Sequence, residues 1–394
     1  MRALPRACHR GEVEFTAVVD GLPAILSEML GEPVERVDVE REHPRPHDDQ
    51  PWLGVKYGPS GNADIHGVVP ITVTADHHRL DLVIKVNPTH GIGETLIPWI
   101  CQTQGVALPA PYPTFHSTRE VVGTGAREAN LYELSGTVPE LMAILPRYYG
   151  TIVAAGERAL VLGDEGAING LDAGGAISSW STDHIDKALR AIGSVHAATA
   201  AMAPDIAWLP PRPDTATMGA DGDLWRALLD DAAKRSPEVV TEAVYHDRIE
   251  LIESIGQWHP AKDALPTVIA HNDFNQRNVG FRPDDRVIAL DWELVRQDAP
   301  TRDVAELLTF LLTDQVELRQ VEHHAEQHRL AMAATGLSIP RTDYLAGLAA
   351  DLRSEAINRV GMQWVFEAAF DLPYVPRINH TVDHLTRITA EWLA

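Results

Sequence analysis

Two short stretches carry residue types at spacings that could do chemistry: His271-Asn272-Asp273-Phe274-Asn275-Gln276-Arg277-Asn278 and Asp291-Trp292-Glu293. Together they offer a histidine, a carboxylate, an amide and a second carboxylate, the parts that in-line phosphoryl transfer needs. In that reaction the protein positions groups and neutralises charge. A carboxylate orients the attacking hydroxyl and takes its proton, while hard oxygen ligands hold Mg2+ against the phosphates. Asp273 is the candidate base, and Asn278 with Asp291 are the candidate Mg2+ ligands. His271 joins the catalytic group as a brace for the loop, since nothing in the pattern requires a second base.

The flanking sequence must position these groups. Thr267 to Ala270 reads as a strand leading into the loop, and Val279 to Arg282 and Val287 to Leu290 read as a β-hairpin around Pro283-Asp284-Asp285-Arg286. A two-residue turn at Asp284-Asp285 puts Asn278 directly opposite Asp291, where cross-strand partners point to one face and can share one cation. Alternation then gathers Val279, Phe281, Ile288 and Leu290 on the other face, against a core. Farther on, Val304, Leu307, Leu308, Leu311 and Leu312 form the buried stripe of a helix that begins near Pro300.

Ahead of these motifs, residues 14–30 have helical spacing, and the period then changes to that of strands at Val34–Val39, Trp52–Tyr57, Val68–Thr74 and Leu80–Val86. The last run contains Lys85. A strand lysine either faces solvent or, in a nucleotide-binding lobe, reaches the α- and β-phosphates and is held by a helix glutamate. Glu128 is the favoured partner and Glu133 the fallback, both in the helical stretch 126–134. The turn 57–67, with Ser60 and Gly61, is the candidate phosphate-covering loop, although it is not Gly-x-Gly-x-x-Gly.

A second hairpin, 148–154 and 159–162, ends at Leu162-Gly163-Asp164, after which the composition turns helical. That shift divides the chain into an N-terminal nucleotide-binding lobe, 1–163, with an insertion at about 88–123, and a C-terminal catalytic and substrate-binding lobe, 164–394. A nucleotide in the cleft would set its base against backbone groups of Val161, Leu162 and Asp164.

With 394 residues the chain can bury a large core, and its 45% apolar and 23% charged residues are those of an ordinary folded protein. A formal charge of -23 argues against a nucleic-acid partner and is compatible with a cationic substrate. Two cysteines are too few for a disulfide framework, and no apolar run reaches membrane-spanning length. The expectation is a cytoplasmic protein.

Taken in order, the Lys85 strand, Arg127-Glu128-x3-Tyr132, Leu162-Gly163-Asp164, His196-Ala197, the His271–Asn278 loop, Asp291-Trp292-Glu293 and Pro300-x2-Asp303-Val304-Ala305 resemble the aminoglycoside phosphotransferase and choline kinase group of small-molecule kinases. The resemblance implies an α+β, two-lobed, protein-kinase-like fold, with an antiparallel sheet lobe and a larger helical lobe. It implies ATP or GTP as donor, Mg2+, and a hydroxylated small molecule as acceptor, an antibiotic being the favoured version and a metabolite such as choline, homoserine or a sugar the alternative. By it, Asp273 is the base, Lys85 the phosphate contact with Glu128 its partner, and Asp303 holds the catalytic loop from behind. Asn272 stands where the group commonly has Gly. Substrate is expected against the C-terminal helices, where Arg359, Trp364, Phe366, Phe370 and Tyr374 are concentrated.

Two other classes compete. A catalytically silent nucleotide sensor would have no need of Lys85, Asp273, Asn278 and Asp291 together. A metal-dependent phosphoesterase could add His323, His324 and His328 as ligands, but on a helix rich in Glu and Gln the pair His324 and His328 reads as a solvated face.

Overall fold

The computed structural model describes residues 13–41, 64–65, 67–86, 123–154, 157–172, 180–359 and 374–393. The candidate loop residues Ser60 and Gly61, the run Trp52–Tyr57, nearly all of the insertion and most of the aromatic segment after Arg359 lie outside the described residues. The architecture is two-lobed and α+β, as expected.

The first lobe is a five-stranded antiparallel sheet of β1 (Val37–Arg41), β2 (Gly67–Ala75), β3 (His78–Val86), β4 (Tyr148–Ala154) and β5 (Glu157–Gly163), in the order β1-β2-β3-β5-β4. Helix α1 (Phe15–Leu30) covers one face. Its Val18, Leu22 and Leu26 share a core with Ile71, Val73, Leu82, Ile84, Val86 and Val161. Strand alternation therefore turns Val83 and Lys85 to the other face. There α2 (Thr124–Ser135) packs, starting from Gly123 in the left-handed region and burying Glu128, Ala129, Leu131 and Tyr132.

Beyond β5 the chain is mostly helical. Among the described residues four short strands interrupt it: β6 (Val268–Ala270), β7 (Val279–Phe281), β8 (Val287–Ala289) and β9 (Arg296–Asp298), paired β6 with β9 and β7 with β8. Helices α3 (Thr182–Thr199), α4 (Thr301–Leu311), α5 (Leu318–Ala334), α6 (Arg341–Ser354) and α7 (Val375–Ile388) surround them. One core joins Ile185, Leu189 and Val195 of α3 to Trp292, to Val304 and Leu308 of α4, and to Tyr132 and Leu160 of the first lobe. The sheet lobe is thus seated on the helical lobe through shared apolar burial, the dominant stabilising term in folding. No helix among the described residues is long and apolar enough to cross a membrane.

The β7–β8 hairpin corrects the expected register. Val279 faces Ala289, Gly280 faces Ile288 and Phe281 faces Val287, which puts Leu290, not Asp291, opposite Asn278. The backbone N–H of Leu290 donates to Asn278 O at 2.7 Å. The cause is the turn: Arg282 N donates to Arg286 O, so three residues are in the loop, and the third, Asp285, is left-handed at φ 67°. One extra loop residue moves every pair by one and exchanges faces on the second strand. Val279, Phe281, Val287 and Ala289 form the core face, while Ile288 lies opposite Gly280.

Candidate active site

Lys85 is 6% exposed, which rejects the solvent-facing alternative for this strand lysine. Its Nζ lies 2.8 Å from Glu128 Oε1 and 2.6 Å from Asp291 Oδ1. Glu133, the fallback partner, is exposed on α2. The same Glu128 Oε1 accepts the backbone N–H of Trp292 at 3.1 Å, so one buried carboxylate grips both the lysine and the chain beside Asp291. Asp291 reaches Lys85 although it is not across from Asn278. It sits just past β8 at φ 58°, a left-handed conformation that Asp tolerates better than most residues, and this turns the chain out of the strand.

The loop between β6 and β7 closes on its own side chains. Asp273 Oδ1 accepts from Asn275 Nδ2 at 3.0 Å and from Arg277 Nη2 at 3.2 Å, and its Oδ2 accepts from Asn278 Nδ2 at 2.8 Å. Asn278 Nδ2 also donates to Asp273 O at 3.0 Å, which fixes the amide orientation and turns its oxygen into the atom that could take a cation. That oxygen and the Asp291 carboxylate, a quarter exposed, are hard donors of the kind Mg2+ takes. The residues present fit such an ion.

His271 is fully buried and braced at both ring nitrogens. Nε2 is 2.8 Å from Leu290 O, and Nδ1 accepts the Asp273 N–H at 3.3 Å, an arrangement that requires the Nε2–H tautomer. Behind it, Asp303 accepts the N–H of His271 at 2.8 Å on Oδ2 and that of Asn272 at 2.8 Å on Oδ1. Its Oδ2 also lies 3.1 Å from His196 Nε2. Burial pushes the Asp303 carboxyl up, but the bonds and charge of His196, the nearby His271 and the Asn272 N–H together hold it below the usual carboxylate range. It therefore stays an acceptor for the loop.

Asn272 explains its departure from Gly. Its φ is 63°, and Asn is among the few side-chain-bearing residues that accept this region at modest cost. The side chain also works: Oδ1 accepts from Arg302 Nε at 2.9 Å. Arg302 then spans to Glu306 Oε2 at 2.8 Å and Glu355 Oε2 at 2.7 Å. Sequence reading missed this hub. Only the Arg302–Glu306 spacing of one helical turn hinted at it.

Also missed was Arg277, whose guanidinium lies 4.9 Å over the Phe310 ring and 5.5 Å from that of Tyr374, within reach of cation–π attraction. Its Nη1 donates to the Tyr374 hydroxyl at 3.1 Å. Of the C-terminal aromatic group, Tyr374 is thereby brought to the catalytic loop.

Two expectations need revision. Val161 and Leu162 lie in β5, paired on one side with Ile84 and Val83 of β3 and on the other with β4, so the ladders take their backbone groups. Gly163 N donates to Arg147 O at 2.8 Å and Asp164 N to Asp81 O at 3.1 Å. The backbone N–H groups of Gly163 and Asp164 are thus engaged inside the sheet lobe. His324 and His328 are buried, not solvated. His328 Nε2 lies 3.0 Å from His196 Nδ1 and its Nδ1 lies 2.9 Å from the Tyr344 hydroxyl, giving a buried line from α6 through α5 and α3 to Asp303. Helix α5 packs these polar groups against other polar groups, which a single-helix pattern cannot display.

Residues 161–336, from β5 through the catalytic loop, the hairpin and α4 to the end of α5, match the model of the phosphotransferase enzyme family, APH. Over that span the chain is similar to the phosphotransferases of that family. No curated protein matches the chain. Among solved structures it is similar to an aminoglycoside phosphotransferase from Alicyclobacillus acidocaldarius, at 13% identity and a TM-score of 0.47, over 90% of this chain and 96% of that one. It is also similar to the choline kinase LicA from Streptococcus pneumoniae, at 10% identity and a TM-score of 0.43, over 94% of this chain and 97% of that one. Macrolide 2'-phosphotransferase MphH from Brachybacterium faecium matches at 15% identity and a TM-score of 0.44, over 90% of this chain and 97% of that one.

Proposed function

We propose that this protein is a phosphotransferase that moves the γ-phosphoryl group of ATP or GTP to a hydroxyl of a small molecule, with 1–163 as the nucleotide lobe and 164–394 as the catalytic and acceptor lobe. The observation that carries the reading is Lys85 held between Glu128 and Asp291 beside a loop in which Asn278 bonds Asp273. What supports the reading is that Lys85 comes from the sheet lobe and reaches Asp291 of the helical lobe, while Asn278 bonds Asp273.

In the reaction proposed, the acceptor oxygen forms a bond to the γ-phosphorus while the bond from that phosphorus to the β–γ bridging oxygen breaks, and the hydroxyl proton passes to Asp273. Asp273 mainly orients the hydroxyl, because the loose transition state demands little base strength and its carboxylate is already held by Asn275, Arg277 and Asn278. Asn278 and Asp291 would hold Mg2+, which supplies charge neutralisation at the phosphates when bound. Lys85 turns from Asp291 to the nucleotide phosphates, Glu128 keeping it in place. Asp303 and His271 keep the loop rigid. The nucleotide base meets the chain beyond Asp164 instead of along β5.

The acceptor we favour is a hydroxylated antibiotic. The support is the long helical lobe and a net charge of -23 that suits a cationic molecule. A screen of hydroxylated antibiotics and of choline, homoserine and sugars, with ATP or GTP and read by product mass, separates the antibiotic from the metabolite reading. Asp273→Asn is expected to lower turnover at least ~100-fold with nucleotide affinity retained. Near-normal turnover would remove Asp273 from its role.

A further inference from the structure

Away from the catalytic loop, three ligand-bearing side chains converge between α3 and α5. Asp186 projects from α3. His323 and His324 are consecutive on α5, where neighbours in a helix point about 100° apart and seldom serve one partner. Here both do: His323 Nε2 lies 2.8 Å from Asp186 Oδ2 and His324 Nδ1 lies 2.7 Å from Asp186 Oδ1. The two ring nitrogens and the carboxylate oxygen all lie within 4.8 Å of one another.

The charge balance around Asp186 is open to a cation. Its side chain is 10% exposed, and both partners are imidazoles, which carry no permanent charge. The fixed cations nearby on α3 are engaged elsewhere. Lys187 pairs with Asp183 and Asp285, and Arg190 Nη1 donates to Gln327 Oε1 at 2.8 Å. Exposure is graded across the set: the His324 side chain is 4% exposed and that of His323 is 48% exposed, so one edge meets water. An entry path and a place for a solvent ligand follow from that grading.

We propose that Asp186, His323 and His324 form a binding site for a zinc-class divalent cation that ties α3 to α5. Two imidazole nitrogens and one carboxylate oxygen are a common donor set for Zn2+, with water as the fourth ligand, and imidazole selects against Mg2+. Bonds of about 2.0–2.1 Å in a tetrahedron set ligand atoms roughly 3.3 Å apart, so the present contacts need open by only about half an ångström. The helices are already in close approach: a Cβ on Gly193 of α3 would lie 3.0 Å from His328 O on α5. The same two helices bring His196 and His328 together behind Asp303. The ion is therefore a structural clasp between α3 and α5, independent of the transfer reaction proposed above.

Tag-free, metal-stripped protein titrated with Co2+ tests the site by its visible d–d absorption. The expected result is one tetrahedral-type ion per chain, competed away by Zn2+ but not by Mg2+, and a melting temperature that rises a few degrees with excess Zn2+. His323→Ala changes a half-exposed helix residue and keeps the fold. It is expected to weaken Co2+ affinity about 100-fold and abolish the thermal shift, as is Asp186→Asn. His77→Ala serves as the control, because Glu32, His77 and His78 form a second, more exposed grouping. Absence of the absorption band, or a band that survives His323→Ala and is lost in His77→Ala, would overturn the assignment.

Discussion

Lys85→Met isolates the energetics of the contact that joins the two lobes. The substitution leaves Glu128, which is fully buried, without the ammonium 2.8 Å from its Oε1. Breaking a buried pair from one side costs ~3–5 kcal/mol, because the remaining charge stays desolvated. Asp291 loses a partner at 2.6 Å but its side chain is a quarter exposed, so water takes up its charge and adds no more than ~1 kcal/mol. The penalty therefore comes from stranding Glu128, and a second change should relieve it. In Lys85→Met/Glu128→Gln the charge is gone, while the amide oxygen can still accept the Trp292 N–H that Glu128 accepts at 3.1 Å. The double variant is expected to be about 2 kcal/mol more stable than Lys85→Met alone. Urea unfolding followed by circular dichroism, without nucleotide, measures both. A double variant no more stable than the single one would refute the stranded-charge argument.

In Gly280→Ala the new Cβ would meet Ile168 Cγ2 at 2.6 Å and Asn169 O at 2.8 Å. A backbone oxygen cannot swing aside, so a loss of ~1–3 kcal/mol is expected in thermal unfolding, and an unchanged melting temperature would contradict that close approach. Asn272→Gly keeps the left-handed backbone but removes the acceptor of Arg302 Nε, whereas Asn272→Ala loses both, so Ala is expected to be the less stable by ~1 kcal/mol or more in the same assay. His259 is pushed down to about 4 from 6.5 by burial and by the neighbouring Lys262 charge. The unfolded chain then takes up the proton first as pH falls, so this contribution is whole above pH 6.5 and is lost between about 6.5 and 4, amounting to ~2 kcal/mol from pH 7 to 5. Denaturant unfolding at the two pH values should show a smaller drop for His259→Gln than for the parent.

Strand and helix periodicity placed Lys85, Glu128 and the catalytic loop in the right elements, because each signal is local. The hairpin register was not legible. Pro283-Asp284-Asp285-Arg286 suits a two-residue turn as well as a three-residue one, and the choice rests on whether Asp285 goes left-handed, as it does at φ 67°. The fate of Val161 and Leu162 depended on sheet order. A strand flanked on both sides has no backbone left for a ligand, and nothing within 157–163 says that β5 lies between β3 and β4. Burial of His324 and His328 was hidden for a similar reason. Their partners, Asp186, His196 and Tyr344, are on α3 and α6, and a polar helix face is legible as core only when the polar face opposite is known.

The register shift also changes what the site must do on loading. Had Asn278 and Asp291 been cross-strand partners, a flat strand pair would have presented both ligands. Instead Asp291 lies beyond the strand, in a left-handed turn, and its Oδ1 is already 2.6 Å from Lys85. On the proposed reading, a cation at Asp291 and a phosphate at Lys85 arrive together as one metal–nucleotide complex, and each replaces the partner that the other group loses. Binding then exchanges one ion pair for two charge-assisted contacts, with Glu128 as the fixed point, since it holds both the lysine and the Trp292 N–H. Nucleotide without a divalent ion would draw Lys85 away and leave Asp291 facing the phosphates as a like charge. Such binding is disfavoured, so in this arrangement the demand for a metal originates in the lysine–aspartate pair as much as in the phosphates.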